Sequence, residues 1–200
     1  MGPEESTNQR TPRQFLFATQ LFFFATLLLC LLIVHSEVVE NDGISFFGVY
    51  HGTIEILTVG FCVAAWGLWR TSSQLRSVDA PPLVVVGMRV VAISLFVLLI
   101  TPFNKGTFLN WAHMITGVAM ALVELAISIL LLMRYRSAAS IGAFSVALGG
   151  GLLAAASLPD WSFAYLFQGE VIFEIGFAWC LLEWTRVFEV DHREALAQQY

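Results

Sequence analysis

Charge is scarce in this sequence. Only 12% of the residues are Asp, Glu, Lys or Arg, while 58% are hydrophobic. Both values lie far from those of a water-soluble domain. No polar stretch is long enough to build a soluble domain beside the apolar runs. Lysine occurs once, at Lys105, between two such runs. That excludes a retinal-type Schiff base within a helical bundle, which needs a lysine inside it. With a net charge of −5 and no basic domain, nucleic acid is excluded as a partner. Cysteine is sparse too. Cys30, Cys62 and Cys180 fall in three different apolar runs, and no two stand at metal-ligand spacing. They read as small packing residues. A glycine-rich phosphate loop, a nucleophile elbow and an HExxH motif are all missing.

What is present is a rhythm of six apolar runs, at about 15–34, 49–69, 83–100, 111–133, 141–158 and 167–187. Each has roughly the 17–25 residues needed to cross a hydrocarbon core of about 30 Å as a helix. In lipid every backbone group must be paired internally, and runs this long without strict alternation are not barrel strands. The expected fold is an all-α membrane protein. It is a bundle of six transmembrane helices built from three helical hairpins, at 15–187, with tails at 1–14 and 188–200. The first run exceeds the apolar core of a secretory signal, and His35-Ser36-Glu37 after it offers no small-residue cleavage site. It is expected to remain as the first helix.

Basic residues fix the orientation. Arg10, Arg13, Arg70, Arg76, Arg134, Arg136, Arg186 and Arg193 all fall on one side if the runs alternate. The other side holds Lys105 with Glu37, Glu40, Asp42 and Asp160. The positive-inside rule then puts both termini in the cytoplasm, in a plasma membrane.

The polar residues within the runs carry the functional expectation. A charged side chain at the bilayer centre costs about 2.5–3.5 kcal/mol on insertion scales, so such groups turn inward. His51, Glu55, Thr58 and Cys62 recur every three to four residues, as do His113, Gly117, Met120, Glu124 and Ser128. Glu170 and Glu174 stand one turn apart. Glu55 and Glu174 are each expected roughly 10 Å below the outer edge. Carboxylates at equal depth in low dielectric hold a proton or a cation between them. His51, Glu55, His113, Glu170 and Glu174 are therefore expected to form an outward-opening site for a proton, cation or small ligand. Its use would be transporter-like or sensor-like. Purely structural interhelical hydrogen bonds are the plainer reading. Deeper in the membrane, Arg89 at roughly 9 Å and Glu124 at roughly 14 Å from the inner edge are expected to form a buried ion pair.

A recurring pattern links the hairpins. Ser45-Phe46 precedes His51, Thr107-Phe108 precedes His113, and Ser162-Phe163 precedes Gln168. These three polar side chains are expected at similar depth. Small residues recur every four positions at Ala143, Ala147, Gly151 and Ala155. Such a stripe admits a close neighbouring backbone, so this helix is expected to pack tightly within the bundle, and Ala143–Ala155 is also the expected contact for any second copy or other membrane protein.

Enzymatic readings are weaker. A zinc-dependent intramembrane hydrolase would draw on His51 and His113, with His35 as a third ligand, but no Asp lies within a run. A haem held by His51 and His113 would lack an electron path across the membrane. No cofactor is implied beyond a metal ion at His51 and His113. The remaining alternative is a structural subunit of a membrane assembly.

The loop Asn41-Asp42-Gly43-Ile44-Ser45, His113 at the start of the fourth run, and six spans over nearly the whole length also carry a resemblance. The chain resembles a family of bacterial and archaeal integral membrane proteins broadly similar to the six-helix DRAM-like proteins. Where that family has a short polar-glycine turn, this chain has Phe46-Phe47-Gly48. The resemblance implies a six-helix bundle and no particular activity.

Overall fold

A computed structural model describes residues 11–34, 42–77, 80–158 and 164–197. Six α-helices follow one another: α1 Pro12–Val34, α2 Ile54–Arg76, α3 Pro82–Ile100, α4 Thr107–Arg134, α5 Ala138–Ala156 and α6 Leu166–Ala197. A short 3-10 helix, Ile44–Gly48, lies between α1 and α2.

Helices α1 to α5 are long and apolar enough to cross a membrane. The 32 residues of α6 suffice in length, but Glu170, Glu174 and Glu183 dilute the apolar character of its first five turns. Less than half of each of the five apolar segments is buried inside the protein. Large apolar side chains such as Leu21, Leu32, Ile115, Val118 and Leu122 point outward. A surface this apolar supports an integral membrane protein with lipid around it.

Local chemistry sets the helix limits. Pro81-Pro82 opens α3, where a missing N–H costs nothing. Thr101 closes it just before Pro102, which disfavours helical geometry in its predecessor. Gly106, at φ 111°, makes the left-handed turn into α4. Ser137 caps α5, its Oγ accepting from the Ser140 N–H at 3.0 Å.

Consecutive helices pack as neighbours, and α6 also touches α1 and α4, closing the bundle. The pairing is antiparallel. Gly60 of α2 lies over Thr26 of α1, and Gly67 lies over Thr19. On α6, Gly169, Phe173 and Gly176 meet Ala154, Gly150 and Ala147 of α5. Arg13 at the start of α1 donates its N–H to Glu189 Oε1, far along α6. Antiparallel order thus gathers Arg13, Arg76 and Arg134 at one end of the bundle.

That end is solidly packed. Trp184 is fully buried, stacks on Phe188 at 5.3 Å and donates its Nε1–H to the Ile127 carbonyl. Leu75, Val84, Met88 and Leu131 fill the space beside it. Toward the opposite end the helices separate around a cavity.

Two expectations change here. The second helix starts at Ile54, after a 3-10 helix and a turn, and not at residue 49. His51 therefore precedes α2, whereas His113 lies two turns into α4 and Gln168 starts α6. The three do not occupy equivalent positions, and Ser162-Phe163 lies outside the described residues. The stripe on α5 is taken in part, by the close helix packing that such residues allow. Ala143 and Ala147 are buried, and Ala147 meets α6 at Gly176, whereas Gly151 is half-buried and Ala155 is exposed. Ala143 and Ala147 thus offer no surface to a second copy.

Candidate functional site: an acid-lined cavity

The cavity has a volume of about 570 Å³ and is lined by residues of all six helices and of the 3-10 helix. Its polar lining is Glu124 and His113 from α4, Glu170 and Glu174 from α6, Thr19 and Gln20 from α1, and Ser45. Phenylalanine, leucine, methionine and alanine supply most of the rest.

Helix α4 brings His113, Gly117, Met120 and Glu124 to the cavity, along the stripe that its sequence displays. Below Glu124 the same stripe continues into packed core through Ile127, Ser128 and Leu131. On α6 the stripe is Glu170, Glu174, Phe177 and Leu181. Glu170 interacts electrostatically with Glu174, and Glu174 with Glu124. Three carboxylates thus run in series along one wall.

Each carboxylate has a different setting. Glu170 holds the loop above it: its Oε2 accepts the Ile44 N–H at 2.6 Å, capping the 3-10 helix from across the bundle. Gly43 makes this possible, since a Cβ there would strike the Glu170 carboxylate. Glu174 lines the cavity half-buried. Glu124 is 1% exposed, and its Oε2 has no hydrogen-bond partner. Gln20 donates Nε2–H to the Ala178 carbonyl at 3.3 Å, which leaves its Oε1 buried and unpartnered. His113 Nδ1 lies 2.8 Å from the Thr101 carbonyl oxygen. A carbonyl only accepts, so Nδ1 carries the proton.

The cavity reaches the flank of the molecule. Its lining includes Met114, Val118 and Leu122 of α4 and Leu148 and Leu152 of α5, all of which are exposed. These exposed lining residues belong to α4 and α5, so the cavity opens to the surface along these two helices.

The structure brings His113, Glu170 and Glu174 to one cavity and leaves His51 and Glu55 outside it. Both are exposed, His51 on the turn before α2 and Glu55 in the first turn of α2. The physical reason is helix phase. Gly60 and Gly67 turn toward α1, where Thr26 and Thr19 leave no room for a Cβ. The stripe of Glu55, Thr58 and Cys62 lies on the opposite side of α2. Thr58 returns its Oγ–H to the Ile54 carbonyl. Glu55 sits at a helix N-terminus, where negative charge is favourable.

The expected Arg89–Glu124 pair is not formed. Arg89 donates Nε–H to Ser72 Oγ at 3.2 Å and lays its guanidinium over the Trp69 ring at 5.2 Å. The face of α3 that meets α4 is that of Gly87, packed on Ile127. Arg89, two residues on, points about 200° away, toward α2. The ion pair found among the described residues is Arg186 with Glu183 at 2.7 Å.

As to metals, no three His, Cys, Asp or Glu side chains among the described residues are grouped to hold an ion. His51 and His113 do not share the cavity, and His35 lies outside the described residues.

No family model, curated protein or solved structure matches the chain.

Proposed function

We propose that this chain is a plasma-membrane protein whose six helices cross the bilayer as three hairpins, with both termini in the cytoplasm. Its central cavity binds a proton, a cation or a small ligand, in a transporter-like or sensor-like role. One observation carries the reading: Glu124 is buried with an unpartnered oxygen at a cavity of about 570 Å³. An orphaned buried polar atom is costly, and an apolar cavity with a few convergent polar side chains in its wall is a default binding site. Kinship with the DRAM-like six-helix family remains part of this proposal and rests on the Asp42–Ser45 loop and His113.

Two measurements test it. Cysteines placed at Asn104 and at Arg136 should react with a membrane-impermeant maleimide from opposite faces of sealed vesicles. Reaction from one face overturns the six-crossing topology. For the cavity, the natural blocking position is Gly117, which lines it and has nothing within 4 Å of an added Cβ. The purified chain in lipid nanodiscs should bind small naphthyl solutes saturably, one per chain, and Gly117→Phe should abolish this while leaving the thermal midpoint in place. If neither charged nor neutral solutes bind saturably, the cavity is not a binding site.

A further inference from the structure

We infer that the ligand of this cavity is a protonated lipophilic amine, an organic cation with at least one N–H to donate and an apolar body. The inference rests on the cavity being a binding site and names the chemical class it selects.

Charge comes first. The lining holds Glu124, Glu170 and Glu174 and no lysine or arginine. Its one basic side chain, His113, points a protonated Nδ1 at the Thr101 carbonyl. An anion would meet three acidic side chains and no lysine or arginine to balance it.

Hydrogen bonding narrows the class. The two unpartnered buried atoms of the lining are both oxygens, Gln20 Oε1 and Glu124 Oε2, and as a carboxylate Glu124 accepts. The Gln20 amide cannot reverse without facing its oxygen to the Ala178 carbonyl. Neither of these two buried atoms has a donor facing it, and an ammonium that still bears hydrogens supplies one. A quaternary ammonium offers charge alone.

Size and walls exclude a bare ion. A volume of about 570 Å³ lies within the roughly 300–1,000 Å³ typical of sites for drug-sized molecules. A calcium ion wants about 6–8 oxygens around it. Among the described residues no group of three His, Cys, Asp or Glu is placed to hold a metal. Phe23, Phe24, Phe61, Phe173 and Phe177 instead line the space. Aromatic faces suit an apolar body and attract a neighbouring cation. The route in, along α4 and α5, leaves through exposed apolar side chains and not through a polar mouth. A molecule that partitions into lipid can take it.

The test is equilibrium dialysis of the chain in zwitterionic nanodiscs, with empty nanodiscs as the blank. The probes are 1-naphthylmethylamine, its N,N,N-trimethyl derivative and neutral 1-naphthalenemethanol, near neutral pH. The amine should bind at least about tenfold more tightly than either analogue, the worth of a charge-assisted hydrogen bond. The double variant Glu124→Gln with Glu174→Gln should weaken the amine by roughly tenfold or more and leave the alcohol unchanged. If the alcohol binds as well as the amine, the cavity takes any apolar solute, a lipid chain included, and the amine assignment falls while the binding site stands. If the trimethyl derivative equals the amine, the N–H requirement falls and with it the class named here. Absence of saturable binding by all three defeats the cavity reading itself. The three-probe ranking on the unmodified chain decides the matter even where the double variant does not fold.

Discussion

Gly176→Val should separate α5 from α6 and lower the thermal midpoint of the purified protein by about 5–10 °C, the shift expected for roughly 2–3 kcal/mol in a chain of this size. A Cβ at Gly176 would collide with the backbone of Ala147, as one at Gly150 would with that of Phe173 and one at Gly169 with that of Ala154. A clash with a side-chain tip is relieved by a rotamer change. A clash with a backbone is relieved only by moving the whole helix. In lipid, close van der Waals packing is the main force holding helices together, because exposed apolar faces are already solvated by acyl chains. Moving α6 also carries Glu170 and Glu174 away from the cavity wall that they form. Gly149→Val is the matched control. It puts the same β-branched residue in α5 at a position with nothing within 4 Å, so only the small helix-propensity gain common to both variants applies. Equal midpoints for the two variants, measured in the same nanodiscs, would show that this contact does not hold the bundle.

Sequence periodicity made the helices legible, and on α4 it also made the site legible. His113, Gly117, Met120 and Glu124 recur at helical spacing, and no competing feature on α4 pulls its phase elsewhere. That face does line the cavity. The same logic failed on α2. The stripe of His51, Glu55, Thr58 and Cys62 is as regular, but Gly60 and Gly67 occupy the opposite face and admit α1 to backbone distance. Close approach at two glycines outweighed a polar stripe whose members could be satisfied at the helix start or by their own backbone. The small-residue stripe through Ala143 and Ala147 marked α5 for a close helix contact, and the Gly169 and Gly176 pair, seven residues apart and so on one face, was a further signal that the partner is α6. Two features had no signal in sequence. Gln20 lies among apolar residues with no partner at helical spacing. The clasp of Gly43-Ile44 on Glu170 joins residues 126 apart in the chain. For Arg89 and Glu124, depth was a poor guide because it ignores azimuth: a residue on α3 can face α2 or α4 at the same depth.

The second large effect concerns Glu124, and its sign is the informative part. Glu124→Met should raise the thermal midpoint, by about 1–3 kcal/mol of stability, while abolishing amine binding. The carboxylate is 1% exposed and its Oε2 is unpartnered, so the folded state bears a desolvation cost of that order. Methionine matches its length and flexibility and carries no comparable cost. Contacts of the α4 backbone survive the change, since Ser128 Oγ donates to the Glu124 carbonyl and not to its side chain. The opposite sign follows if Glu124 pairs with a cation inside the protein. Removing it would then strand a buried positive charge, at a cost of roughly 3–5 kcal/mol. Arg89 was the one arginine that sequence offered for that role, and it is engaged with Ser72 and Trp69. A stabilising Glu124→Met that no longer binds amine therefore identifies a group retained at the expense of stability, as functional groups commonly are. A destabilising one, with Arg89→Leu partly restoring the loss, would return Glu124 to the architecture of the bundle and empty the cavity of its defining charge.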